Sequence, residues 1–458
     1  LAVLQLDGLS RPDLEAAMQR GDMPFLRRLQ ELAGYELRSL FPGIPCSTPV
    51  VQAAFLYGVP RSLPGYWYHD TRSGEDVGID EPGVLAKHEQ DLATYATSWL
   101  RDEGASISNL YTAEARHVHG CFQTLDVNNA MAHVRSLGIV GWGLAYLPLL
   151  PSLTWRMLRE LTNLVPEALN ERNPLSLRKV LAQIGKNALA VDLARVFTKM
   201  HVASGTRAIH TNFISFDGHS HVVGPKDPAM LRVTRQLDNA VRQVVDATRK
   251  HPTVAYEVLI LSDHGHEVAK TYEDIHGFSL EEKIATFMDE RRVTYRLIAE
   301  GPTAHLYLEA SLSSLEQKGF VRDLLAEAYL PAVLAPGIEN QGNMLHIAGE
   351  EPISCRTELP KRLQEIEHPF PFEAAADLDR ALDIPNAGSL LLLGWHPCSE
   401  HVVVFSNVNG THGGPGTHEC HAFALVPPGL ADVLPDPIQS PTEIHRMASD
   451  LLHRSHAS

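Results

Sequence analysis

LAVLQLDG at residues 1–8, FISFDGHSH at 213–221 and VLILSDHGH at 258–266 share one pattern: a short apolar run that stops at an aspartate with glycine or histidine beside it. Runs of about four to eight aliphatic and β-branched residues that end abruptly in a polar loop read as buried parallel strands. In open α/β sheets, ligands gather outside the carboxyl ends of such strands. Asp7, Asp217 and Asp263 would therefore arrive at one sheet edge, where their mutual repulsion calls for a positive partner. His264 adjoins Asp263 and His221 stands four residues beyond Asp217. Histidine beside carboxylate makes a divalent cation the economical partner.

Composition sets the outer bounds. At 458 residues the chain exceeds the length at which one core keeps growing, so a large domain with insertions, or two domains, is expected. Thirty-nine Lys and Arg against 55 Asp and Glu give a net charge of −16, which opposes non-specific binding to nucleic acid or anionic membranes. No nucleic-acid partner is expected, and a polyanionic substrate would need local metal charge to hold it. Cys46, Cys121, Cys355, Cys398 and Cys420 are odd in number and form no CxxC pair, which argues against a disulfide framework or a zinc knuckle. The chain opens directly in a strand without an initiator Met, so an upstream leader or anchor is compatible with it, as are cytoplasmic and exported locations.

Further along, a helical pattern covers Leu14 to Met18 and Phe25 to Leu32 and ends near Gly34, followed by a strand through Tyr35 to Leu40. FPGIPCSTPVVQAAFLYG then offers Ser47 or Thr48 as a helix N-cap, Pro49 at the first helical position and Gly58 as the stop. Thr48 would meet free N–H groups and the positive end of a helix dipole. Residues 87–202 read as a mostly helical insertion, a cap or lid, because they lack Asp-ending strands. Within it, residues 136–155 carry no formal charge, a length that would span a bilayer if Pro148 and Pro151 did not interrupt it. A buried hairpin or hydrophobic lid is the leading reading, with membrane-surface contact and a true span as the alternatives. Core segments are expected at 1–86, 203–289 and 386–458, with a second insertion at 290–385. AGSLLLLGW and HVVVFSNV read as core strands leading to NGTHGGPGTHECH, a Gly-rich loop that holds His412, His418 and His421.

Taken together, these motifs resemble the type I phosphodiesterase and nucleotide pyrophosphatase family of the alkaline phosphatase superfamily. The resemblance rests on the N-terminal Asp-Gly, Thr48 at the head of a helix closing in Gly58, Asp217-xxx-His221-xx-Gly224-Pro225, Asp263-His264-Gly265 and His412-Gly413. It covers about 1–70, 205–270 and 395–430. It implies an α/β fold, an alkaline-phosphatase-like core with a largely parallel central sheet flanked by helices, interrupted by the helical insertion. By the same resemblance, Asp217, His221 and His412 would hold one metal, while Asp7, Asp263, His264 and the Thr48 hydroxyl would hold a second. Thr48 would then be the nucleophile, forming a phosphothreonine intermediate that water hydrolyses. Imidazole with carboxylate suits zinc, and Mn²⁺ is the alternative.

Rival assignments follow from the same residues. His219 competes with His221, His418 and His421 with His412, and Cys46 and Ser47 with Thr48. His266 reads as a rim residue that orients a ligand or meets substrate. Where many relatives carry an asparagine in a Gly-Asn loop, this chain has LPGYWYHD, and Tyr66, Trp67 and Tyr68 would either wall a substrate pocket or pack the core. A sulfatase is disfavoured, since Ser47-Thr48-Pro49-Val50-Val51 has valine where that chemistry requires arginine. The expected activity is cleavage of phosphodiesters in a small nucleotide or lipid-linked substrate. A phosphomonoesterase or phosphonate hydrolase, or a non-catalytic metal-binding module, are the alternatives, and the oligomeric state is left open.

Overall fold

The computed structural model describes residues 1–124, 177–309, 314–337 and 342–454. The uncharged stretch at 136–155 lies outside them. Among the described residues no helix is long and apolar enough to cross a membrane.

Strands β1 (Ala2–Leu6), β2 (Glu36–Leu40), β3 (Trp67–Asp70), β4 (Glu75–Gly78), β5 (Gly104–Ile107), β6 (His117–His119), β7 (Ala208–Phe213), β8 (Val258–Leu261) and β9 (Glu267–Thr271) make up the first two thirds of the fold. They are followed by β10 (Tyr295–Glu300), β11 (Thr303–Leu308), β12 (Ala332–Pro336), β13 (Asn343–Ile347), β14 (Ile353–Ser354), β15 (Leu390–Leu393), β16 (Val402–Val404), β17 (Gly410–Thr411) and β18 (Ala422–Val426). The main sheet runs in the order β2-β18-β8-β1-β7-β5-β6, and β18 alone pairs antiparallel to both of its neighbours. Its three central neighbours, β8, β1 and β7, are the three Asp-ending runs, parallel and nearly flush: Leu6 lies opposite Phe213 and Gln5 opposite Leu261. All residues of these strands are buried, as continuous aliphatic runs covered by helices on both faces should be.

Helices α1 (Arg11–Arg20), α2 (Pro24–Leu32), α3 (Thr48–Tyr57), α4 (Pro82–Ala93), α5 (Leu177–Ala203), α6 (Ser215–Val223) and α7 (Met230–Arg249) belong to this core. Along α7, Val233, Leu237, Val241, Val244 and Val245 form the buried stripe that a 3.6-residue period produces. Met23 gives α2 no side-chain cap, and the need is met from a distance: Asp238 of α7 accepts the N–H groups of Phe25 (3.1 Å) and Leu26 (2.9 Å).

Two boundaries differ from expectation. Segment 87–202 is not wholly an insertion, because β5 and β6 join the main sheet beside β7. At four and three residues, GASI and HVH are too short and too polar to show an apolar run. Likewise β15 does not belong to the core. It pairs with β11 and β12 in a second sheet, ordered β10-β11-β15-β12-β13-β14 and antiparallel throughout. Its LLLL sequence is equally suited to either sheet, since both bury it.

Candidate active site

Because β8, β1 and β7 end together, Asp263, Asp7 and the helix that follows β7 meet at one edge. Asp217 and His221 lie on α6 one turn apart, which aims both side chains the same way. His412 follows β17, whose pairing with β9 sets Thr411 opposite Glu267 and so brings His412 beside His266. The head of α3 supplies Thr48: Ser47 is the extended N-cap, Thr48 the first helical residue, and Gly58, at φ 71°, the C-cap.

Two groups result. In the first, Asp217 Oδ1 is 3.4 Å from His221 Nε2, 3.4 Å from His412 Nε2 and 3.3 Å from His266 Nε2. In the second, Thr48 Oγ1 lies 3.2 Å from His264 Nε2 and 3.4 Å from Asp7 Oδ1. His264 Nε2 is also 3.5 Å from Asp263 Oδ2, and Asn212 donates to Asp7 Oδ2 at 2.6 Å. Ligand-type atoms of Asp7, Asp217 and His264 all lie within 4.8 Å of one another, so Asp217 borders both groups.

All four imidazoles are oriented the same way. His221 Nδ1 bonds to the Gly410 carbonyl (2.9 Å), His264 to Gly265 (3.0 Å), His266 to Gly8 (3.0 Å) and His412 to Cys46 (2.7 Å). A carbonyl only accepts, so each Nδ1 carries a proton and each Nε2 is left to face the site, able to coordinate a metal when unprotonated or to donate to a carboxylate when charged. Gly8 makes this possible. Its φ is 73°, its N–H donates to Asp263 Oδ1 at 3.1 Å, and a Cβ there would stand 2.5 Å from His266 Cε1.

The electrostatics fit a cation. Burial, then Asp263 and Asp217, push Asp7 far above the carboxylate range; burial, with Asp217 adding, takes Asp263 up to about 6. Burial also opposes ionisation of Asp217, but His221, His266 and His412 outweigh it and hold Asp217 well below the usual value. Burial pushes His264 well down and takes His266 to about 4, leaving both neutral. Asp217 Oδ1, Asp263 Oδ2 and His266 Nε2 are buried without a hydrogen-bond partner. Such orphaned acceptors, turned inward and crowded by like charge, are the donor set a divalent metal satisfies.

Every expected metal-site residue is therefore present at this edge. His266 stands differently from expectation, as close to Asp217 as His221 and His412 are. The Asp-His-Gly-His spacing carried that signal. Tyr68 belongs to the core at 9% exposure, while Tyr66 and Trp67 are half-buried. His418 and His421 stand elsewhere: the His418 N–H donates to Glu267, and His421 Nε2 contacts Ser39.

An α/β fold that gathers two Asp/His groups around a hydroxyl at a helix N-terminus defines a metal-dependent hydrolase class. The family model for type I phosphodiesterase / nucleotide pyrophosphatase matches residues 123–351, half of the chain, and the chain belongs to that family. It is a phosphoester hydrolase. No curated protein sequence matches the chain. Among solved structures, phosphonoacetate hydrolase from Sinorhizobium meliloti 1021 in complex with phosphonoformate superposes with a TM-score of 0.51 at 13% identity, covering 98% of this chain and 94% of that one. Murine ectonucleotide pyrophosphatase/phosphodiesterase 5, an inactive variant in complex with AMP, gives a TM-score of 0.51 at 11% identity, covering 99% and 94%. At these identities the likeness is one of fold.

Proposed function

We propose that this chain hydrolyses phosphodiesters at a two-metal centre with Thr48 as nucleophile. The observation that carries the reading is the position of Thr48 Oγ1, at a helix N-terminus and within reach of both His264 Nε2 and Asp7 Oδ1. Asp217, His221 and His412, joined by His266, would hold one ion; Asp7, Asp263, His264 and the Thr48 hydroxyl would hold the other. The three imidazoles of the first set favour zinc over the harder cations, with Mn²⁺ as the alternative. Bound there, two divalent cations supply Lewis acidity, lowering the pKa of hydroxyl and water and offsetting phosphoryl charge.

The chain's own groups account for the rest. His264 Nε2 and Asp7 Oδ1 are the atoms nearest Thr48 Oγ1 and would orient the hydroxyl beside the ion they hold, the proton that Oγ1 sheds passing to solvent. As Oγ1 bonds to phosphorus, the bond to the leaving oxygen breaks and its electron pair departs with that oxygen. The free N–H groups at the head of α3 face the negative charge that develops on the phosphoryl oxygens. Water then cleaves the Thr48–phosphate ester and restores the hydroxyl.

Turnover of bis(4-nitrophenyl) phosphate by the zinc-loaded chain tests this. Thr48→Ala should lose on the order of 10³-fold in kcat while still binding metal, and Thr48→Ser should keep measurable turnover. A Thr48→Ala variant as fast as wild type would remove Thr48 from the chemistry.

A further inference from the structure

Cys46 and Cys420 are two buried thiols that the phosphoryl chemistry does not use. Their sulfurs lie 3.3 Å apart although the residues are 374 positions apart in the chain, and neither residue is exposed. Among the described residues no other two cysteine sulfurs meet: Cys121 contacts Ser106 instead, and Cys398 is exposed beside Arg362. Backbone carbonyls flank the pair. Cys46 Sγ is 3.0 Å from the Gly43 oxygen and 3.4 Å from that of Gly414, which Cys420 Sγ also approaches, at 3.6 Å.

The pair joins the two segments that bring Thr48 and His412 to the site. Cys46 stands just before Ser47, the N-cap of α3, and its carbonyl accepts His412 Nδ1 at 2.7 Å. Cys420 closes the loop that begins at His412. Within that loop the Glu419 carboxylate accepts the N–H groups of Gly414 (2.8 Å) and Gly416 (2.7 Å), and the Cys420 N–H donates to the Gly416 carbonyl (3.0 Å). The loop is tied to itself, so a bond made at Cys420 reaches His412. A disulfide needs about 2.05 Å between its sulfurs, and an approach of about 1.2 Å shared by two side chains turns this contact into that bond. Two electrons must leave, and a hydroperoxide takes them. One sulfur attacks a peroxide oxygen, the O–O bond breaks, and a sulfenic acid and one water result. The second sulfur then attacks the first, the S–O bond breaks, and a second water carries off the remaining thiol proton. Burial makes the thiols slow to react and the finished bond slow to be reduced.

We propose that Cys46 and Cys420 are a site of oxidation by hydroperoxides, and that their disulfide latches the Thr48 segment to the His412 loop so that the centre holds its metal longer. The latch rests on the metal-centre reading above; the cross-link does not.

The zinc-loaded full chain is treated with hydrogen peroxide, quenched with catalase and compared with the same chain kept in a phosphine reductant. Peptide mass spectrometry without reduction should find the Cys46 and Cys420 peptides joined and two hydrogens lighter than their sum. Loss of zinc to EDTA should slow about tenfold, and prolonged reduction should reverse the slowing. With metal removed, the cross-linked chain should unfold at a higher urea midpoint, because the bond closes a loop spanning 374 positions. Cys420→Ser should abolish all three effects, and Cys420→Ala repeats the test should the serine hydroxyl disturb folding. A dose that oxidises the exposed Cys398 yet leaves the two peptides unjoined overturns the proposal, as does slowing that survives Cys420→Ser. A joined pair with unchanged zinc loss overturns the latch. Failure of either form to take up zinc overturns the metal-centre reading and the latch with it, while the mass and urea readouts still decide the cross-link.

Discussion

The two halves of the proposed metal centre are built on opposite plans. Around Asp217 the donors are three imidazoles and one carboxylate, and the pocket is open: 32% of the His221 side chain and 22% of that of Asp217 are accessible. Around Thr48 the donors are two carboxylates, one imidazole and a hydroxyl, and the pocket is closed except at the half-buried Thr48: Asp263 and His264 are at 0% and Asp7 at 4%. The open half suits exchange with water and the closed half suits fixing a nucleophile. Both rest on the same strand ends, so the difference comes from the loops that follow each strand. The carboxylate-rich half needs its cation more, because Asp7 and Asp263 are the groups that burial and like charge push toward protonation.

Asp217 is where the comparison breaks most completely, since it borders both groups. Asp217→Ala should lose both metal equivalents and on the order of 10³-fold or more in turnover, measured by metal analysis beside kinetics. Retention of one full equivalent would show the halves to be independent. Gly8→Ala comes next. The new methyl meets the His266 ring at 2.5 Å in a backbone conformation that disfavours side chains, at a cost of about 2–4 kcal/mol, read by denaturant unfolding. Metal loss confined to the open half would tie the damage to His266; unchanged stability would mean that the ring moves freely.

His266→Met sharpens the comparison without steric damage. Metal affinity of the open half should weaken about 10- to 100-fold in a competition titration, while the closed half keeps its ion. Equal affinity would return His266 to the rim role that its sequence position first indicated.

An effect that vanishes at neutral pH separates the scaffold from the site. His210, buried in β7, has neither ring nitrogen hydrogen-bonded, and burial takes its pKa to about 3. Between that value and the ordinary histidine value of about 6.5 the unfolded chain binds the extra proton, so stability is lost as pH falls through this window. The slope is about 1.4 kcal/mol per pH unit for this one group. His210→Leu should flatten the acid limb of a stability–pH curve in metal-free protein, and an unchanged limb would assign acid loss to Asp217, the site carboxyl held below its usual value.

How much of this was legible in the sequence follows from range. Strands β1, β7 and β8 declared themselves through local apolar runs, and the head of α3 through Ser47, Pro49 and Gly58. Asp217 and His221 were readable because a helix turn keeps partners close in sequence. By contrast, β5 and β6 draw their place in the sheet from β7, about a hundred residues away. β15 could have joined either sheet, and only its partners decide. His266 had the right spacing, yet the lone pair it offers is fixed by the carbonyl of Gly8.

The central place of β1 bears on how the protein comes to exist. Ala2–Leu6 pairs on one side with β7, from Ile209, and on the other with β8, from Val258. During synthesis at about 5–20 residues per second, this apolar strand waits roughly 10–40 s before its first neighbour has even been made. Both of its hydrogen-bonding edges stay open throughout, a liability that slow, non-local pairing imposes on the nascent chain. The aspartate that follows β1 thus reaches its partners late, because the strand that carries it pairs with segments made roughly two hundred residues or more after it.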